Sequence, residues 1–218
     1  MIRLILIVSI VVGMLYSADE KLEISGDIVN GLRVVDYESI ESGNLTFYRG
    51  DYLVINHEHS DTITLKIDEL KISKQYPAPV KEKSYVKLKS VGAFQYSFGE
   101  VKGTINIVEY TQAQYKAINA AEANEVIKNL DPVILDVRTQ FEFDRGYLKN
   151  TQLIPLQVLQ KEYIKLSEHK DKPILIYCAS GNRSTVAARI LIDHGFKNIF
   201  NMRYGINEWQ RNGFEVLK

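Results

Sequence analysis

The chain holds 218 residues, 45% of them hydrophobic and 25% charged, and Lys+Arg equals Asp+Glu at 27 each. That length admits one large or two small domains, and balanced charge excludes bulk attraction to nucleic acid or to an anionic membrane. The only cysteine is Cys178, so no disulfide forms within the chain and its thiol is either core packing or in use.

Met1-Ile2-Arg3 opens with a positive charge, Leu4 to Tyr16 is almost wholly apolar, and Ser17-Ala18-Asp19-Glu20 returns to small and charged residues. This is the layout of a signal peptide over residues 1–18, with an apolar stretch short for a membrane span. Tyr16 stands where a small residue is preferred for cleavage after Ala18, so an uncleaved anchor and a buried N-terminal element stay open as alternatives. Export with cleavage leaves no stable membrane insertion. It places the folded part in the periplasm or another extracytoplasmic space.

Residues 19–110 read as short strands between turns. Ile63, Leu65 and Ile67 alternate with polar residues, as do Val86 and Leu88, then Phe94, Tyr96 and Phe98, then Ile105 and Ile107. Period two with frequent turn residues predicts a β-sandwich or barrel. The expected turns are Gly26-Asp27, Ser42-Gly43-Asn44, Arg49-Gly50-Asp51 and Pro77-Ala78-Pro79.

Residues 111–218 follow a different pattern, with the boundary expected near 110–114. Asn119-Ala120-Ala121-Glu122 is a capping box for a helix through Leu130. Val133 to Val137, Pro173 to Tyr177 and Phe196 to Phe200 read as buried strands, with a shorter one at Leu153-Ile154. Helices are expected from Leu156 to Lys170, from Ser184 to His194 and from Ile206 onward. Strands alternating with helices predict a parallel sheet flanked by helices.

The segment Tyr177-Cys178-Ala179-Ser180-Gly181-Asn182-Arg183-Ser184 joins such a strand to such a helix. Ligands in open parallel sheets bind beyond the carboxyl ends of strands, and Cys178 stands at one. The small residues after it allow backbone amides to converge on one point, and the helix N-terminus adds positive potential. Arg183 brings a guanidinium suited to oxyanions. A helix N-terminus and a cationic neighbour favour a thiolate at Cys178.

This loop resembles the active-site loop of the rhodanese family, including its six-residue span from Cys178 to Arg183. Leu135-Asp136-Val137-Arg138 resembles that family's first signature, and Phe141-Glu142-Phe143-Asp144-Arg145-Gly146-Tyr147 a segment that usually ends in Gly-His. Asn201-Met202-Arg203-Tyr204-Gly205-Ile206-Asn207-Glu208-Trp209 resembles its closing Gly-Gly-x-x-x-Trp element. Two departures are Tyr147 in the histidine position and Tyr204 in that of the first glycine. The resemblance implies a single-domain rhodanese fold and a thiosulfate sulfurtransferase reaction without cofactor or metal. Cys178 would carry the sulfur as a persulfide, Ala179, Ser180, Gly181, Asn182, Arg183 and Ser184 would hold the substrate, and Asp136 and Arg138 would support the loop. The partners implied are a small sulfur donor and a thiophilic acceptor, with a protein acceptor docking on the β-domain as an option.

Val91 to Val108 resembles the end of a cupredoxin-like domain, but the loop Phe98-Gly99-Glu100-Val101-Lys102-Gly103 contains no cysteine, histidine or methionine ligand. A blue-copper site needs a thiolate with two imidazoles, and His57 and His59 alone do not make one. A copper-free sandwich is expected, with an immunoglobulin-like sandwich as the alternative. The competing functions are a persulfide-binding, partner-docking module without turnover and phosphatase or arsenate-reductase chemistry. The short loop favours sulfur over a phosphoryl group.

Overall fold

The computed structural model describes residues 22–57, 62–76 and 85–218. The expected signal segment, the Pro77-Ala78-Pro79 turn and His59 lie outside them. The first part forms β1 (Asp27–Val29), β2 (Leu32–Asp36), a short helix α1 (Tyr37–Glu41), β3 (Asn44–Tyr48), β4 (Tyr52–Asn56), β5 (Ile63–Ile67), β6 (Ile72–Tyr76), β7 (Val86–Lys87), β8 (Gly92–Phe98) and β9 (Val101–Val108). They make a four-stranded sheet, β1-β2-β4-β7, facing a five-stranded sheet, β3-β9-β8-β5-β6. Most neighbours are antiparallel, but β2–β4 and β3–β9 are parallel. The loop compared with a copper-ligand loop is a tight hairpin, Phe98 pairing with Val101 across Gly99 at φ +60. Between the sheets lie Val35, Leu45, Phe47, Leu53, Ile55, Leu65, Ile67, Phe98, Ile105 and Ile107. These are the inward members of the period-two pattern.

The second part runs β10 (Tyr115–Ile118), α2 (Ala120–Leu130), β11 (Val133–Asp136), α3 (Gln140–Phe143), β12 (Thr151–Leu153), α4 (Leu156–Glu162), β13 (Pro173–Tyr177), α5 (Asn182–Asp193), β14 (Asn198–Met202) and α6 (Gly205–Arg211). The sheet order is β10-β14-β13-β11-β12 and every pairing is parallel. Its strands are apolar on both sides because both faces are covered. Ile174, Ile176 and Cys178 pack toward α4 and α5, whereas Leu175 and Tyr177 pack toward Met202, Ile206 and Trp209.

Several expected bounds shift. The capping box is present with both arms, Glu122 N–H to Asn119 Oδ1 at 2.9 Å and Asn119 N–H to Glu122 Oε2 at 2.8 Å. The expected helix from Leu156 to Lys170 is α-helical only to Glu162 and continues as a 3-10 helix over Tyr163–His169. The strand expected at Leu153-Ile154 occupies Thr151–Leu153. The strand expected from Phe196 begins at Asn198, because Phe196 belongs to the end of α5. Gly195 at φ +87 donates to the Ile192 carbonyl and Phe196 to the Leu191 carbonyl, a Schellman close. Edge strand β10 escaped the sequence reading because only Ile118 of its four residues is buried.

The sandwich and the α/β layer share an interface. Consecutive residues Tyr52 and Leu53 are both buried. Leu53 enters the sandwich core, whereas Tyr52 joins the cluster around α4 and α5, together with Ile28, Leu32 and Tyr85. The four-stranded sheet is therefore covered on both faces. Gln160 Nε2 donates to the Ile28 carbonyl at 2.8 Å. At the centre Asp51, wholly buried, accepts from Arg189 of α5 and from Arg33 Nε at 3.3 Å, while the Tyr48 amide adds a third bond at 3.1 Å. The Arg189 guanidinium also lies 4.9 Å from the Tyr48 ring centroid.

Removing one partner of a buried ion pair leaves uncompensated charge. Asp51→Asn should cost about 3 kcal/mol of stability, seen as a lower urea midpoint.

Candidate active site

Cys178 follows the last residue of β13. The chain then turns on Gly181, at φ +94, into α5, which starts at Asn182, two residues earlier than expected. The Gly181 amide donates to Cys178 Sγ at 3.1 Å, and the Ser184 hydroxyl stands 3.7 Å from the same sulfur. The Gly181 carbonyl accepts from the Ser184 and Thr185 hydroxyls at 3.0 and 2.8 Å. The sulfur thus rests against an amide and the positive end of a twelve-residue helix, an arrangement that stabilises negative charge there. Cys178 is 1% exposed.

The closing motif braces this loop. Ile206 N–H donates to the Cys178 carbonyl at 2.8 Å and Asn207 N–H to the Ala179 carbonyl at 3.2 Å. Backbones approach so closely that a Cβ on Gly205, at φ +64, would collide with the Cys178 and Ala179 carbonyls; one on Gly181 would collide with the Arg203 carbonyl. Tyr204, at φ −106 and half-exposed, meets no such constraint. The second glycine of the family pattern is sterically required here and the first is not. Tyr147, the other departure, stacks on Phe143 at 4.2 Å and pairs with Leu217.

Arg183 does not point at the sulfur. Its Nη1 and Nη2 donate to Glu142 Oε2 and Oε1, both at 2.6 Å. The Arg183 hydrogen bonds hold the Glu142 carboxyl down at about 2, against the opposing effect of burial. Burial opposes the Arg183 charge too, but Glu142 and then Cys178 more than offset it and raise its pKa. Glu142 also closes a capping box on α3, its Oε2 accepting from the Thr139 amide at 3.2 Å.

Asp136 and Arg138 form a separate buried unit behind the site. Arg138 Nε lies 3.0 and 2.8 Å from the two Asp136 oxygens, and its Nη2 donates to Asp136 at 2.6 Å and to the Gly146 carbonyl at 2.7 Å. That last bond ties down the segment carrying Glu142. Support therefore runs from Asp136 through Arg138 and the α3 segment to Glu142 and Arg183.

A cleft of about 660 Å³ opens beside the loop. Of the six expected substrate-binding residues, Ala179, Ser180 and Arg183 line it. Gly181, Asn182 and Ser184 are buried beneath, and a Cβ on Gly50 would stand 3.2 Å from the Asn182 carbonyl oxygen. The opposite wall comes from the sandwich: Asn30, Gly31, Leu32, Tyr52, Tyr85 and Lys87. Burial first, then the nearby Cys178, raises the Tyr52 phenol above its ordinary range. Sequence reasoning gave neither this wall nor Glu142 a role. The Thr139-x-x-Glu142 spacing was a readable signal for the second; nothing local marked the first.

The family model for the rhodanese-like domain matches residues 119–212. Over 96 residues the chain is 35% identical to thiosulfate sulfurtransferase GlpE of Coxiella burnetii (strain RSA 493 / Nine Mile phase I), covering 44% of this chain and 88% of that protein. Over 98 residues it is 34% identical to the tRNA uridine(34) hydroxylase of Hamiltonella defensa subsp. Acyrthosiphon pisum (strain 5AT), covering 43% of this chain and only 28% of that protein. A rhodanese-related protein from Thermoplasma volcanium superposes with a TM-score of 0.43 at 35% identity, over 47% of this chain and 98% of that one. The chain belongs to the rhodanese-like family through this segment.

Two outcomes follow from the geometry. Gly205→Ala should lose about 2 kcal/mol, because it forces a strained φ as well as a clash, while Tyr204→Gly should change stability by less than about 1 kcal/mol; thermal denaturation measures both. Glu142 contributes stability that is fully present above the ordinary glutamate range near 4.3 and is lost as pH falls through about 2. The stability gap between the parent protein and Glu142→Gln should accordingly be largest near neutral pH, shrink below pH about 4.3 and close near pH 2.

Proposed function

We propose that the chain is an exported sulfurtransferase that moves sulfane sulfur through Cys178. The observation that carries this reading is the sulfur itself, held at a strand end by the Gly181 amide at 3.1 Å under the N-terminus of α5. In the first half-reaction the Cys178 thiolate attacks the outer sulfur of a donor such as thiosulfate. A bond forms between Sγ and that sulfur, the donor S–S bond breaks, and sulfite leaves with the electron pair. In the second, a nucleophilic acceptor takes the outer sulfur and the electron pair of the Sγ–S bond returns to Cys178. No general base is needed for attack by a thiolate, and the absence of a second thiol in the chain makes the acceptor external.

Similarity to a thiosulfate sulfurtransferase over most of that protein's length supports this reading. So does Arg183, which is committed to Glu142 rather than facing the sulfur as a phosphoryl clamp would. For the first part we propose a cupredoxin-like sandwich without copper, divided from the rest near residues 110–114. Its two parallel strand pairs fit that better than the all-antiparallel sheets of an immunoglobulin sandwich. The apolar leader within residues 1–18 supports a periplasmic or other extracytoplasmic location.

Purified protein should form thiocyanate from thiosulfate and cyanide, and Cys178→Ala should reduce the rate to background. Intact mass after thiosulfate treatment should show one added sulfur on the parent chain and none on the variant. An active Cys178→Ala protein would contradict the reading.

A further inference from the structure

The segment Gly50-Asp51-Tyr52 of the sandwich lies against the first turn of α5, the helix whose N-terminus stands over Cys178. A Cβ on Gly50 would come within 3.2 Å of both the Asn182 carbonyl oxygen and the Thr185 Cβ, and Asp51 binds Arg189 of the same helix. Tyr52 comes next in the chain and is packed in the cluster that contains Cys178. Its ring meets that of Tyr85 edge to face at 5.0 Å. The residue is 6% exposed, yet among the described residues its hydroxyl has no hydrogen-bond partner. Tyr52 lines the cleft together with Ala179, Ser180 and Arg183, so a donor from the other part of the chain is held beside the sulfur loop.

Most of the side-chain donors nearer the sulfur are already engaged. The Gly181 amide is on Sγ itself, and the Ser184 hydroxyl donates to the Gly181 carbonyl at 3.0 Å. Both Arg183 Nη atoms are on Glu142, as is the Thr139 hydroxyl at 2.9 Å. Ser180 carries a hydroxyl at an exposed position, where water competes for it. A sulfur added to Cys178 moves the negative charge outward by about 2 Å, the length of an S–S bond, away from the amide that holds Sγ. Burial first and Cys178 next keep the Tyr52 phenol protonated, and Arg183 opposes them without prevailing. A protonated phenol in such an enclosed place is a strong partner for an anion.

Resting on the sulfurtransferase reading, we infer that Tyr52 is a catalytic residue supplied by the sandwich, its hydroxyl donating a hydrogen bond to the outer sulfur of the Cys178 persulfide. As Sγ attacks thiosulfate, the new S–S bond forms, the donor S–S bond breaks, and sulfite leaves with the electron pair of that bond. The outer sulfur is left with a negative charge, which the phenol meets without giving up its proton. No oxidant or reductant is consumed. The α/β layer holds the inner sulfur and the sandwich holds the outer one, so the site is complete only with both parts of the chain.

The test uses the full chain equilibrated with mixtures of thiosulfate and sulfite, the loaded fraction of Cys178 being read by intact mass. That ratio reports the stability of the persulfide itself. Tyr52→Phe keeps the ring and removes only the hydroxyl. It should shift the equilibrium toward the unloaded thiol by roughly ten-fold, as expected for one hydrogen bond to a charged group. In the parent protein, loading should also move tyrosine near-ultraviolet absorption to longer wavelength, a readout that needs no variant to fold. An equilibrium unchanged in folded Tyr52→Phe, or no tyrosine shift in a parent protein that loads sulfur, overturns the role of Tyr52 and leaves the sulfurtransferase reading standing. Failure of Cys178 to load sulfur at all overturns both.

Discussion

Asp51 is a carboxylate without access to solvent that two guanidiniums share, one from its own sandwich and one from helix α5. Such a group is tolerable only where its charge is compensated and its oxygens are bonded, so the two parts of the chain are held in one relative placement. Arg189 belongs to the same helix whose first residues stand over Cys178. The helix is thus anchored to the sandwich along its body and offers its N-terminus to the sulfur. Loosening the anchor would alter the sulfur's surroundings and the cleft together.

A second constraint acts at the other side of the loop, where chain crowds chain. Gly181 and Gly205 each occupy a left-handed backbone position with a carbonyl where a Cβ would be. Hydrogen bonds from Ile206 and Asn207 then hold the Cys178 and Ala179 carbonyls from behind. With its carbonyls held this way, the loop can turn amides toward the sulfur. Pre-organised donors of this kind are effective because they need no reorientation as charge develops.

Much of this was legible in the sequence where local rules decide. The Asn119 capping box, the apolar runs of β11 and β13 and the strand-to-helix position of Cys178 depend on residues adjacent in the chain. Boundaries moved where a tertiary contact or a cap prevailed, as when Phe196 folded back onto α5 instead of opening β14. Arg183 read as an oxyanion ligand because its partner, Glu142, lies far back in the chain, and only the parallel crossover brings them together. Tyr52 and Lys87 were invisible for the same reason. A period-two pattern reports which face of a strand is apolar and does not report which neighbour covers it.

Cys178 is the sole thiol of the chain and is nearly enclosed, which decides how the protein meets oxidative damage. A sulfenic acid formed on that sulfur has no internal thiol with which to condense, so it can be rescued only from outside before it advances to an irreversible acid. The rescuing molecule must reach a sulfur that is 1% exposed. The enclosure that shields the sulfur therefore also restricts which molecules can repair it.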